Sequence, residues 1–244
     1  MCGSKTSTDA KARALPERVL HWDGCVNVRD LGGLPLEGGG ETAFGVVVRS
    51  DSIRALSDDG WKALADYGVH TAVDLRSDWE VADDPPRDVP IEICHLPVNG
   101  DQVAVVREWP SMQEAYHGLL SGFPEQFASA VSTVAQADGP VVVHCHAGRD
   151  RTGLTCALML SLAGVEIGAI AADHAWSDEF LSPWWQPWHD DAPDDETRAR
   201  RQRVTDMRVS AMAEVLDEID VRDYLIGGGA SSKDLDTLVV RLRG

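Results

Sequence analysis

No apolar run in this chain approaches the length of a membrane span, and its opening residues, Met1-Cys2-Gly3-Ser4-Lys5, are not followed by the apolar core of a secretory leader. A span needs about 20 apolar residues in succession. The sequence therefore predicts no stable membrane association and a cytoplasmic address, with export lacking a recognisable signal left open. Positive charge is scarce: 22 Lys and Arg stand against 40 Asp and Glu, a formal net charge of -18 at pH 7. Such a chain repels nucleic acid and anionic membranes at long range, so neither is expected as a general partner, and any anion must be held by a local arrangement. Cysteines number five, odd and irregularly spaced, which argues for reduced thiols rather than a disulfide framework. No Pro/Gly/Ser-rich linker divides the 244 residues. One domain over residues 21–244 is expected, preceded by a tail over residues 1–20 that has little periodicity.

The chemistry is concentrated in His144-Cys145-His146-Ala147-Gly148-Arg149-Asp150-Arg151-Thr152-Gly153. The preceding Pro140-Val141-Val142-Val143 is β-branched and reads as a buried strand, and Thr152 onward reads as a helix. A strand, a tight loop and a helix start make an anion cradle, in which the N–H groups of residues 146–151 point at one ligand and the helix dipole adds positive potential. Only a thiolate attacks, so Cys145 needs the field of that loop. Arg151 can hold two equatorial phosphate oxygens in its planar fork while sulfur attacks in line, which gives a cysteinyl-phosphate. Thr152 is placed to donate its hydroxyl to the sulfur, and His144 to assist by hydrogen bonding. Gly148 lets the backbone approach the anion. His146, Ala147, Gly148, Arg149 and Thr152 are the expected phosphate-binding residues, beside Cys145, Arg151 and Asp150 as catalytic ones.

Three competing readings fare worse. A structural core cysteine would not precede His, Arg, Asp and Arg in a Gly-containing loop. Zinc at His144, Cys145 and His146 lacks a second pair of ligands, so no metal or cofactor is expected. Sulfur-transfer loops typically place the arginine one residue nearer the cysteine.

The loop resembles that of cysteine-dependent phosphatases, and in full it is similar to the bacterial tyrosine-protein phosphatase family that includes secreted triple-specificity enzymes of pathogens. Asn27-Val28-Arg29-Asp30-Leu31-Gly32-Gly33 resembles the opening motif of that family. Val48-Arg49-Ser50-Asp51 with Leu56 and Gly60, then Val73-Asp74-Leu75-Arg76-Ser77 with Glu80, resemble the next two. Ala172-Asp173-His174 with Ser177 falls where the family has an Asp-Tyr pair and a Ser, and Tyr224-Leu225 with Leu235 to Leu242 fits its last helix. The departures are Arg149 where many members carry Lys, His146 where some related lipid phosphatases carry Lys, and His174 in place of Tyr.

The leaving group needs a proton, and a positioned carboxylic acid speeds such a step by about 10²–10⁴. Asp150 leads because it lies in the loop itself; its alternative is a salt bridge that shapes the loop. Asp101 matches approximately where the family places an acid outside the loop. Trp109-Pro110 is followed by Ser111 rather than Asp, so Trp109 reads as packing. Trp176, Trp184, Trp185 and Trp188, with Pro183 and Pro187, make residues 176–205 either a lid and aromatic platform or a face for a partner subunit. Arg198, Arg200, Arg201 and Arg203 either face the pocket or lie on a solvated helix. Cys25 and Cys94 read as inert thiols, the alternative being a protective disulfide with Cys145.

Around the loop, strands and helices alternate. Residues 44–49, 70–75, 91–96 and 140–144 read as strands. A helix covers residues 58–67 and ends at Gly68, a helical stretch over residues 112–137 is interrupted near Pro124, and Ser232 caps a final helix. The pattern predicts an α/β fold with a mainly parallel central sheet flanked by helices and a ligand site at the strands' carboxyl ends, where Cys145 falls. Asp74 and Arg76, after a neighbouring strand, either brace the loop or pair locally. The expected function is phosphomonoester hydrolysis, foremost by a protein-tyrosine phosphatase acting on a phosphorylated protein or small phosphomonoester, with phosphoserine/threonine and phosphoinositide as further substrates. A catalytically silent phosphate-binding module would use the same loop, but binding alone needs no nucleophile. The oligomeric state stays open.

Overall fold

Three consecutive valines offer water no polar face, so the strand they form must be covered on both sides. The computed structural model describes residues 17–85, 89, 91–98, 111–206 and 208–244. Its sheet comprises β1 (Arg29–Asp30), β2 (Val47–Ser50), β3 (Thr71–Asp74), β4 (Glu92–His95) and β5 (Val141–His144), in the order β1-β2-β5-β3-β4. The valine strand β5 lies at its centre. All neighbours are parallel except the β1–β2 edge pair. The four expected strands form; β1 is an addition, two residues being too few to show a period.

Burial follows the strand alternation. Val141 and Val143 enter one core layer with Val47, Val73 and Leu75, whereas Val142 enters the other with Val48 and Ala72. The described helices are α1 (Asp58–Asp66), α2 (Asp78–Asp83), α3 (Met112–Gly122), α4 (Pro124–Gln136), α5 (Asp150–Leu162), α6 (Ile167–Phe180), α7 (Ser182–Asp190), α8 (Asp195–Asp206), α9 (Arg208–Asp217), α10 (Val221–Gly227) and α11 (Ser232–Arg243). Side chains of α3, α4, α5, α6, α9, α10 and α11 fill the first layer; Leu64 of α1 joins the second with Trp22 and Leu56. Helix α5 is buried all round from Arg151 to Leu160, so its leucines each contribute about 1.5–3 kcal/mol. Pro124 opens α4 as its first residue, where its missing N–H costs nothing.

Two boundaries differ from expectation. Ser231, not Ser232, caps α11: its Oγ accepts from the Asp234 N–H at 3.1 Å, since of two adjacent serines only backbone geometry selects one. Residues 17–20, assigned to the tail, belong to the fold: Val19 bridges to Arg29, and Arg18 is 3% exposed. No helix among the described residues is long and apolar enough to cross a membrane.

The register positions the site. Ser50, His144 and Asp74 end their strands on one level, so the segments after β2, β5 and β3 meet. The Leu75 N–H donates to His144 O and the Ser52 N–H to His146 O, both at 2.9 Å.

Candidate active site

Cys145 follows β5 directly, the chain turns through residues 146–149, and α5 starts at Asp150. The carbonyls of that turn are held from outside. His146 O accepts from Ser52 N, Ala147 O from Asn27 Nδ2 at 2.9 Å, and Gly148 O from Asn27 Nδ2 at 3.2 Å and Arg49 Nη2 at 2.9 Å. A peptide plane whose carbonyl points outward presents its N–H to the other side, which is how the loop becomes a concave donor surface. Gly148 has φ +67°, and a Cβ there would stand 2.3 Å from Ser50 O, so only glycine lets the loop lie against the end of β2.

The loop rests on a buried cluster drawn from three of the spaced motifs. Arg29 Nη1 donates to Asn27 Oδ1 at 2.7 Å, and Asp51 accepts from the Asn27 N–H at 3.0 Å. Arg29 Nε at 3.0 Å, Arg49 Nη1 at 2.8 Å and Arg18 Nη2 all donate to the Asp173 carboxylate of α6. Ser177, one turn further along α6, accepts from Arg29 and Arg49 at 3.1 Å each. Burial alone would raise Asp173; the three guanidinium charges outweigh it and hold the carboxyl well below its usual range. Arg29 is pushed down to about 10 by burial and by Arg49. Three guanidiniums thus share the one carboxylate of Asp173 beside the loop.

Arg151 lies in the first turn of α5 and is 6% exposed. Its fork engages Glu80 of α2, Nη1 to Oε2 at 2.5 Å and Nη2 to Oε1 at 2.9 Å. Glu80 also accepts from the Ser77 N–H and hydroxyl at 2.8 Å each, so the carboxylate that caps a helix also aims the arginine. Burial would raise Glu80, but the hydrogen bonds and charge of Arg151 bring it to about 2. Burial would likewise lower Arg151; the charges of Cys145 and Glu80 raise it instead.

The remaining loop residues take separate positions. His146 is exposed, Ala147 half-buried, and the Thr152 hydroxyl is buried without a hydrogen-bond partner among the described residues. Arg149 is buried and turned to α6 and α7, paired with Asp178 and with its guanidinium 5.5 Å from the Trp185 ring centre. Asp150 accepts from Tyr116 Oη of α3 at 2.8 Å, and the same hydroxyl lies 2.8 Å from His174 Nε2.

Asp74 and Arg76 form a local buried pair at 2.7 Å, and Asp74 also faces His144 Nδ1 at 3.9 Å. Cys25, Cys94, Cys145 and Cys156 are free, and burial raises the Cys25 and Cys94 thiols, as befits inert ones. Arg198 is exposed and pairs with Asp195, a solvated arrangement. Asp101 and Trp109-Pro110 lie outside the described residues, as do the side chains of Trp188, Arg200 and Arg203. Tyr116, Arg18 and Asp178 carried no signal in the sequence, because each acquires its partner only through helix packing or chain return.

The profile of a tyrosine phosphatase family matches residues 20–244. The chain is 35% identical over 143 residues to a tyrosine-protein phosphatase of Nostoc commune, covering 55% of this chain and 49% of that one. It is 28% identical over 170 residues to the triple specificity protein phosphatase PtpB of Mycobacterium tuberculosis, covering 55% and 62%. It thus spans about half to two-thirds of the length of these relatives. Among solved structures, P. aeruginosa TpbA in complex with phosphotyrosine aligns over 71% of this chain and 87% of that one, at 16% identity and a TM-score of 0.37. With the family profile extending from before β1 to the end of α11, the chain belongs to the tyrosine phosphatase family.

Proposed function

We propose that this chain is an active phosphomonoesterase of the protein-tyrosine phosphatase type, with phosphoserine/threonine and phosphoinositide as further substrates. The observation that carries the reading is the pairing of Cys145, first residue of an outward-anchored loop, with Arg151, whose fork is preset by Glu80 at the start of the next helix. The Cys145 thiolate attacks phosphorus in line while loop N–H groups and Arg151 hold the equatorial oxygens. The P–O bond breaks, and Asp150 passes its proton to the departing ester oxygen. Water then attacks the cysteinyl-phosphate, Asp150 takes the water's proton, and the thiolate departs with the Thr152 hydroxyl donating to it. His146, Ala147 and Gly148 contribute backbone donors to the phosphate. Arg149, buried between Asp178 and the Trp185 ring, adds its charge to the phosphate site, and residues 176–205 serve as a lid or aromatic platform.

Phosphate release measured across a phosphotyrosine peptide, a phosphoserine peptide and an inositol phospholipid tests this. Turnover is expected at least of the phosphotyrosine peptide. Saturable binding of that peptide with no release would instead establish the silent phosphate-binding module. Replacing Glu80 by Gln should lower kcat/KM on the phosphotyrosine peptide by about 10- to 100-fold, because Arg151 loses the charge that aims it. A folded Glu80→Gln protein with unchanged kcat/KM would show that Arg151 needs no such support.

A further inference from the structure

One buried chain of groups has no task in the steps above, and it ends on the loop aspartate. Tyr116 is fully buried, and its hydroxyl lies 2.8 Å from both Asp150 Oδ1 and His174 Nε2. The three residues stand on three helices, α3, α5 and α6. The histidine decides the order of protons along the chain. Burial, then the charges of Arg49 and Arg149, hold His174 well below its ordinary range, so the ring is neutral and carries one N–H. Its Nδ1 has no hydrogen-bond partner among the described residues and packs against Gly153, where a Cβ would stand 2.4 Å from it. The hydrogen-bond pattern therefore assigns the proton to Nε2, which donates to the Tyr116 oxygen and leaves the phenol proton for Asp150. Burial, the largest cause, holds the Tyr116 hydroxyl well above its ordinary range, so it stays a donor whether or not Asp150 carries its proton.

We propose that Tyr116 and His174 are positioning residues for proton delivery to the leaving group: His174 orients the phenol, and the phenol holds the Asp150 carboxyl in the orientation from which it protonates the departing ester oxygen. The proposal rests on Asp150 being the general acid. A carboxylate on the first turn of a helix has several staggered orientations available, and a buried donor on one of its oxygens selects among them. Tyr116 and His174 reach the chemistry only through Asp150, which makes their effect depend on how badly the leaving group needs a proton.

The test measures kcat/KM for wild type, Asp150→Asn, Tyr116→Phe, His174→Gln and His174→Leu on two esters. Phenyl phosphate releases a poor leaving group; 2,4-dinitrophenyl phosphate releases an anion that needs no acid. Tyr116→Phe should lose about 10- to 100-fold on the first ester and less than about twofold on the second. Asp150→Asn should show the same contrast, larger. His174→Leu should follow Tyr116→Phe, while His174→Gln, which keeps a donor near the Nε2 position, should recover most of the loss. A purely structural role would lower both esters alike. Equal losses, or none, in Tyr116→Phe beside a contrast in Asp150→Asn overturn the relay and leave the acid standing. No contrast in Asp150→Asn removes acid and relay together, as does a wild type inert on both esters. If Tyr116→Phe does not fold, the two His174 variants carry the comparison, and equal behaviour of His174→Gln and His174→Leu overturns the relay.

Discussion

Cys145→Ser should lose turnover by about 10⁴-fold or more while still binding phosphate. Oxygen for sulfur is a small change in volume, and the hydrogen bonds that shape the loop among the described residues run from Ser52, Asn27 and Arg49 to the carbonyls of residues 146, 147 and 148 rather than through Sγ. Arg151 keeps its fork on Glu80. The donor surface therefore survives and only the proposed nucleophile is changed, from a thiol to a hydroxyl, the weaker nucleophile of the two. A loss on the order of 10⁴ corresponds to about 5.4 kcal/mol of transition-state stabilisation, more than one hydrogen bond supplies. The check is phosphate release from a phosphotyrosine peptide beside calorimetric titration with inorganic phosphate. A variant within about tenfold of wild type would mean that sulfur is not the nucleophile.

Asp173→Asn should be the most damaging change to the fold, costing about 3–5 kcal/mol. The substitution is nearly isosteric, yet it leaves Arg18, Arg29 and Arg49 buried with no carboxylate among them. Set against a total stability of about 5–15 kcal/mol, this should lower the Tm by about 6–20 °C or abolish folding. Since Arg49 also holds Gly148 O, a soluble variant should bind inorganic phosphate more weakly. A Tm within about 2 °C of wild type would show that serine and backbone acceptors suffice for the three guanidiniums.

The sign of the pH dependence follows from the same groups. Asp173 lies below its unfolded value of about 3.9, so its contribution is complete above that value and is lost only as pH falls through the lower, folded one. His144 and His174 are also depressed, both chiefly by burial, but from about 6.5. For each, the neutral form is favoured in the fold, so stability is full above about 6.5 and falls as pH drops below it. On the account of these two rings, wild-type Tm should begin to decline between about pH 7 and pH 5, before Asp173 titrates. A Tm flat through that window would show that both rings accept a proton without cost.

Elements with a local cause were legible. The strand Val141–His144 follows from its β-branched run and the stop of α1 from Gly68, which sits at φ +87°, because each needs only neighbours in sequence. The edge strand β1 was not legible, since its two residues are defined by pairing with Arg49 and Val48 rather than by any period of their own. Glu80 shows the boundary between the two cases. Its place three residues after Ser77 marks a helix start locally, but its grip on Arg151, 71 residues away, does not appear in the chain order.

The sequence by itself determined the strand, the loop and the helix start that set Cys145 and Arg151 at the two ends of one turn, because one run of ten residues carries the thiol, the guanidinium, the glycine and the helix start. Only the tertiary structure decided which carboxylate each cation answers to. Arg149 turns to Asp178, Arg151 to Glu80, and Arg18, Arg29 and Arg49 share Asp173, while Tyr116 reaches Asp150 from a separate helix. A buried charge must be matched by whatever the packing brings to it. Which carboxylate that is depends on how β2, α2, α3 and α6 meet around the end of β5, a matter of helix docking that spacing along the chain does not encode.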